Sequence, residues 1–267
     1  MIPIHFPHRH SRLQARRANS LRRRRRPLTG RYVMTGIIAA LFIALLATKA
    51  LHRPAGGRSH LVAPASVPAI SHLSPTDLPP GLRRTPCHSR VAAIVVAAAR
   101  AQVGTLYNSD YVTIPYPGGD VPAGVGACTD VVIRALRKAG FDLQKLIHED
   151  MARNYSRYPH VGDSTGPDPN IDHRRVAIQV RFFARKGRNL TTKVSSETLS
   201  QWQPGDVVDW VLRPGQLHTG IVSDVVNADG IPLVIHNMSV CTEAECLTAW
   251  PIIGHFRYPS DLAPGHR

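Results

Sequence analysis

Gly126-Ala127-Cys128-Thr129-Asp130-Val131-Val132-Ile133-Arg134-Ala135-Leu136-Arg137-Lys138-Ala139-Gly140 sets a lone cysteine where a glycine-punctuated loop gives way to an apolar run of helical period that ends in glycine. The run predicts a helix beginning at the cysteine. A thiol at a helix start meets unsatisfied backbone N–H groups and the positive end of the helix dipole, both of which favour the thiolate. Cys128 is therefore a candidate nucleophile, and such a nucleophile needs a base supplied from elsewhere in the chain.

Upstream of that stretch, residues 105–127 carry Tyr107, Tyr111 and Tyr116 among prolines and glycines, which reads as a structured loop leading to the cysteine. Before it, Val91 to Val103 is alanine-rich and apolar almost all round, so a buried helix stopped by Gly104 is expected. Downstream, Phe141 to Tyr155 has one apolar face at helical spacing, and Asp172 is placed to cap a further helix closed by Gly187.

The last third changes period. Asp206 to Leu212, Thr219 to Val225, Pro232 to His236 and Ile252 to Tyr258 are short β-rich runs separated by turn residues, which predicts antiparallel strands. Helices first and strands afterwards give an α+β domain in which a short antiparallel sheet packs against the cysteine helix.

The net charge of +15 looks like a nucleic-acid signal. Ten arginines and no acid fall in residues 1–32, leaving 33 − 10 = 23 basic against 18 acidic side chains elsewhere. An uncharged apolar run from Tyr32 to Thr48 follows the arginines directly. A polybasic segment ahead of an apolar one is the pattern of an export signal, with positive charge kept on the cytoplasmic side. The expected organisation is an Arg-rich cytoplasmic segment at 1–32, a signal anchor or signal-peptide core at 33–51, a proline-rich linker at 52–88, the catalytic-type domain at 89–260 and a tail at 261–267. The domain then lies on the extracytoplasmic side, tethered to the membrane through residues 33–51 or secreted if the signal is cleaved, and no nucleic-acid partner is expected.

His218 opens one strand run and His236 closes the next. If those strands pair through the turn at Asn227 to Gly230, both imidazoles lie at one edge of the sheet, and a cysteine helix packed there completes a Cys128-His218-His236 triad. Asn237, beside His236, is the alternative third member. Cys128 as a plain buried thiol, or bonded to Cys87, is the competing structural reading.

Gly205-Asp206-Val207-Val208, His218-Thr219-Gly220-Ile221-Val222 and Val234-Ile235-His236-Asn237 resemble the signature of NlpC-type cell-wall peptidases of the papain-like superfamily. Ala101-Gln102-Val103-Gly104-Thr105-Leu106-Tyr107 is similar to their Gln-x-Gly-x-x-Tyr lead-in, while Ala127-Cys128-Thr129-Asp130 departs from their Asp-Cys-Ser-Gly and is closer to the Cys-Thr start of CHAP amidase domains. The region from Ser89 to Tyr258, with Tyr116-Pro117-Gly118-Gly119-Asp120-Val121-Pro122, His148-Glu149-Asp150-Met151 and Asn170-Ile171-Asp172-His173-Arg174-Arg175, resembles the exported bacterial family catalogued as domain of unknown function 1287.

The superfamily resemblance implies a papain-like, NlpC-like fold and hydrolysis of an amide, with peptidoglycan or another cell-envelope peptide as partner. Cys128 would attack as the thiolate, His218 would take and return the proton, and His236 would orient it. Tyr107 and the Cys128 amide would support the oxyanion, with Asp130 fixing a loop or meeting a substrate amine. Asp120, His148, Asp150, Asp172, His173 and Arg174 are candidates to line the substrate groove. A non-catalytic module binding wall peptides and a lipid-directed acyltransferase are the alternatives. Cys241 and Cys246 are expected to form a local disulfide in an exported protein. No further ligand pair stands at metal spacing, so neither metal nor cofactor is expected.

Overall fold

The computed structural model describes residues 78–162 and 165–260. The segments read as the Arg-rich arm, the apolar anchor and the tail lie outside the described residues. Among the described residues no helix is long and apolar enough to cross a membrane.

Four helices precede most of the sheet. The first, α1 (Arg90–Arg100), is capped by Ser89, whose hydroxyl accepts from the Ala92 N–H at 3.1 Å. It buries Ala92, Val95, Val96 and Ala99, a spacing that makes one stripe rather than the fully buried helix expected from composition. The cysteine helix, α2 (Cys128–Lys138), starts at Cys128 itself, and Gly140 follows it with a φ of +96° that L side chains rarely adopt. Next comes α3 (Leu143–Asn154), capped by Asp142. The helix expected to start at Asp172 begins later, as α4 (Val176–Lys186), and ends at Gly187. Asp172 instead opens a single 3₁₀ turn (Asp172–Arg174), because its carboxylate is taken by the Asp168 N–H at 2.6 Å and by Arg175 at 3.2 Å.

The strands are β1 (Arg83–Arg84), β2 (Leu106–Tyr107), β3 (Val125–Gly126), β4 (Arg188–Asn189), β5 (Val207–Arg213), β6 (Gln216–Val226), β7 (Pro232–Asn237), β8 (Cys241–Ala244) and β9 (Ile252–Arg257). Seven of them form one antiparallel sheet: the path runs β4-β9-β5-β6-β7-β8, and β1 pairs with the far end of β6. The pair β2–β3 is separate and parallel. The domain therefore reaches back at least to Arg83, into the segment read as linker, and Cys87 packs against its core. The segment Cys241–Ala244, expected as loop, is an edge strand.

Side chains alternate across a strand, and the two hydrophobic clusters fix which face is which. Val207, Ile221, Ile235 and Phe256 pack with the helices through Val95, Val132, Leu136, Ile147 and Phe183. Val208, Trp210, Val222 and Val234 form the other cluster, with Trp202 and Leu247. The architecture is thus a mixed α+β one, with helices on one face of an antiparallel sheet.

A buried ionic cluster ties α1 to the sheet. The Arg100 guanidinium donates to Glu243 at 2.7 and 2.8 Å and also reaches Asp224, while Glu243 accepts from Ser223. Asp224 in turn receives Arg84 at 3.0 Å, so β1, α1, β6 and β8 meet at one knot of charge. Arg100→Ala leaves Glu243 buried without its cation and is expected to cost about 3–5 kcal/mol of stability in urea unfolding. A loss below about 1 kcal/mol would place the knot among ordinary surface pairs.

Candidate functional site

Cys128 is 5% exposed and stands at the first position of α2. The turn that carries it is fixed by Asp130, whose carboxylate accepts from the Ala127 N–H at 2.6 Å, closing the helix start from the side. Asp130 also meets Arg174 at 3.0 and 2.9 Å, both side chains being buried. The same guanidinium donates to the Asp110 carbonyl at 2.7 Å and the Asn108 carbonyl at 3.2 Å, and the Thr129 hydroxyl donates to the Arg174 carbonyl at 3.0 Å. Asp130 takes the loop-fixing role of its two expected ones, and Arg174, expected to line the substrate groove, is joined to it; together they hold the tyrosine loop against the helix.

The carboxylates among the other groove candidates are likewise occupied, while His148 and His173 each keep a buried Nδ1 without a hydrogen-bond partner. Asp120 pairs with Arg134 at 2.8 Å. Asp150 accepts from Tyr158 at 2.6 Å and Arg185 at 3.0 Å and pairs with Lys186 at 3.1 Å, cations and hydrogen bonds that outweigh its burial and hold its pKa well below the usual carboxylate range. Burial instead raises the Asp172 carboxyl. His148 packs edge-on against Tyr116, with ring centroids 5.0 Å apart. His173 is buried and pushed down to about 4 by that burial. Two glutamines not singled out in the sequence do the bracing. Gln144 accepts from the Gly119 N–H at 2.9 Å and donates to the carbonyls of Pro115 and Pro169, and Gln179 donates to the His173 carbonyl at 2.8 Å. Among the described residues no cluster of three metal-capable side chains is found.

The two strand histidines do meet: His218 Nε2 and His236 Nδ1 are 2.9 Å apart. Gly220 makes room for them, since a Cβ there would lie 2.7 Å from a Val234 methyl and 3.1 Å from the His236 Cβ. Both rings lie in an aromatic group with Trp210 and Trp250, at centroid distances of 5.7 to 6.4 Å. Burial pushes both down to about 4, with the His236 charge adding to the effect on His218, so the pair is neutral at neutral pH. Both residues are buried, His218 3% and His236 5% exposed.

Register decides how the thiol relates to that pair. His218 is opposite Trp210, and His236 follows Val234 by two, so both imidazoles lie on the face away from the helices. Thr219, Asn237 and Asp209 fall on the helix face with Cys128. The β6–β7 ladder runs from Val226↔Pro232 to Ile221↔Ile235 and Gly220 still lies against His236, so the strands part only beyond that pair, at Thr219 and His218. Val222 gives its N–H and carbonyl to the Asp206 and Gly205 side, so alternation turns the Thr219 N–H towards the opened gap. The backbone N–H groups of Thr219 and Thr129 lie close enough to the Cys128 thiol to favour its thiolate. Asn237 completes the rim by donating to the Gly126 carbonyl at 2.9 Å and the Thr105 carbonyl at 3.2 Å.

The structure thus brings His218 and His236 together and sets Cys128 on the other side of the same opening, with no hydrogen bond joining thiol to imidazole. Burial outweighs the two amides and pushes the thiol up to about 12. Tyr107 stands beside the site, 41% exposed, its acidity weakened by partial burial and by Cys128. The expected Cys241–Cys246 disulfide is not formed: Cys241 packs in the helix-side cluster and Cys246 in the opposite one, so the sheet lies between them. Cys87 and Cys128 are free thiols as well.

The sequence profile of the family described as domain of unknown function 1287 matches residues 94–258, and the chain belongs to that family. A relative in Escherichia coli (strain K12), described as the uncharacterized protein YijF, is 44% identical over 184 residues, covering 68% of this chain and 87% of its own length. No solved structure matches.

A thiol at about 12 has a thiolate fraction near neutral pH of roughly 10⁻⁵, against a few per cent for a free cysteine. Alkylation mapped by mass spectrometry is therefore expected to leave Cys128 unmodified at neutral pH long after a free cysteine has reacted, with its rate climbing as pH rises. Rapid modification at neutral pH would mean that the amides outweigh the burial.

Proposed function

We propose that this domain is an exported cysteine hydrolase that cleaves an amide in cell-envelope peptides, peptidoglycan being the substrate class its export pattern and its resemblance to NlpC-type peptidases suggest. We infer with it that the α+β architecture is of the papain-like kind. The observation that carries the reading is that the Cys128 helix start and the hydrogen-bonded histidine pair both come to the His218–Thr219 end of β6, the thiol on its helix face and the imidazoles on the other.

The resting protonation states are those that general-base attack starts from: a protonated thiol and a neutral imidazole. His218 serves as base through Nδ1 only if its proton is on Nε2, donated to His236 Nδ1, so the role of His236 is to hold that tautomer. The proton then passes from Cys128 Sγ to His218 Nδ1 as sulfur bonds the carbonyl carbon, and returns to the leaving amine when the C–N bond breaks. Water releases the acyl group and restores the thiol. Bringing Nδ1 to sulfur requires the His218 ring to leave both its stack on Trp210 and its bond to His236, so His236 sets the tautomer in the resting state and substrate binding drives the turn.

A second reading, a non-catalytic module that binds wall peptides at the same rim, is favoured by the depth of Cys128. The two separate on purified sacculi. The hydrolase reading expects new amines and shortened stems, abolished in Cys128→Ala, reduced about 10²–10⁴-fold in His218→Ala and largely kept in His236→Asn, whose carbonyl oxygen still accepts the Nε2 proton. Sacculus binding with no release of amines, unchanged by Cys128→Ala, would favour the module and overturn the hydrolase.

A further inference from the structure

Asp209 has no part in the chemistry above, yet it is fully buried in the middle of β5 with both carboxyl oxygens unpartnered. Its neighbours are set by register: Thr219 on β6 to one side and Gly254 on β9 to the other. A Cβ at Gly254 would come within 2.8 Å of Asp209 Oδ2, so β9 is shaped to admit the carboxyl. The one donor near it is the Thr219 hydroxyl, whose proton is shared with the Val208 carbonyl at 3.2 Å. A carboxylate there competes with that carbonyl for a single proton, whereas a carboxylic acid brings its own.

The groups around it carry no compensating charge. From α2 come Cys128 and Asp130, the latter already joined to Arg174; from β6, Thr219, with His218 on the reverse face; from β9, Gly254 and Phe256, with His255 on the reverse face and bonded to Asp206. Among the described residues no cation pairs with Asp209. The same Thr219 that flanks Asp209 has its N–H close to the Cys128 thiol, so carboxyl and thiol are two neighbours of one residue on one face of the sheet.

We propose that Asp209 is a positioning residue for Cys128: a carboxylic acid kept neutral at the Thr219 pairing, whose ionisation places a negative charge behind the thiol and holds it protonated. Burial raises the carboxyl to about 7, and its charge in turn raises the thiol. In the neutral form the Thr219 and Thr129 amides act on sulfur unopposed. Once the proton leaves to solvent, they are opposed by an anion that has no cation of its own. Cys128 then loses reactivity relative to an undisturbed thiol as pH passes upward through the ionisation of Asp209. This regulation rests on Cys128 being the reactive group of the site and not on the bond it cleaves.

The test is the pH profile of Cys128 alkylation by iodoacetamide in the full chain, wild type against Asp209→Asn, an isosteric and permanently neutral replacement. Hydrolysis is not needed for this readout, so failure of the hydrolase reading leaves it intact. Below about pH 5 the two rates are expected to coincide; above about pH 7 the variant is expected to react several-fold faster, its rate rising the full tenfold per pH unit while the wild type lags. A protonated-carboxyl stretch in the infrared spectrum of the wild type near about pH 5, missing from the variant, checks the acid directly. A folded-state pKa raised above the unfolded one means stability is lost as pH climbs from about 4 to about 7, so the variant's melting temperature should exceed the wild type's near about pH 8 by more than at about pH 4. Alkylation profiles that coincide at every pH, or no band difference, overturn the proposal.

Discussion

The buried pair of Asp130 and Arg174 is the constraint on which the site hangs. Asp130 closes the start of α2 through the Ala127 N–H, and Arg174 reaches past it to the carbonyls of Asn108 and Asp110. One ion pair therefore sets the position of the cysteine, the path of the tyrosine loop and the seat of the 3₁₀ turn at Asp172–Arg174. Breaking one member of such a pair strands a charge in the interior and costs several kcal/mol, whereas both together are held by hydrogen bonds on nearly every side. The tyrosine loop has little regular structure, and its firmness comes from these side-chain and carbonyl contacts.

Burial rather than ion pairing governs the acidities at the opening itself. Cys128, His218 and His236 are driven towards their neutral forms and are uncharged at neutral pH, while burial leaves the neighbouring Asp209 carboxyl titrating at about 7. Desolvation disfavours every charged form at once, which keeps the thiol and both imidazoles neutral without any salt bridge at that point. Charge is concentrated elsewhere, in the Arg100 knot and in the Asp206, His255 and Arg257 contacts that fasten β9 to the start of β5.

Much of this was legible from local signals. Glycine after an apolar helical run located α2, Gly187 located the end of α4, and turn residues between β-branched runs located β5, β6, β7 and β9. The meeting of His218 and His236 was also readable, because both end up at the end where β6 and β7 part. Which face they occupy was not. A period of two leaves a one-residue ambiguity, and the thiol came to the Thr219 amide while the imidazole of the preceding residue pointed the other way. The same blindness to faces underlies the Cys241–Cys246 expectation, since closeness in sequence says nothing of a sheet passing between two side chains. Arg174 read as a groove residue because a long-range partner such as Asp130 carries no local mark, and Asp172 because its charge was read without its local partners, the Asp168 amide and Arg175.

The pairing of β1 with the far end of β6 has a mechanical meaning. The chain enters the domain at Arg83 and Arg84 alongside Val226 and Val225, on the strand whose other end bears His218. Tension on the preceding chain is delivered first to those few ladder hydrogen bonds and to the Arg84–Asp224 contact, and through Asp224 to Arg100 and Glu243. A pull at the entry point thus loads the central strand of the sheet, and the knot at Arg100 acts as the brace that spreads this load to α1 and β8 before it reaches the mouth between β6 and β7.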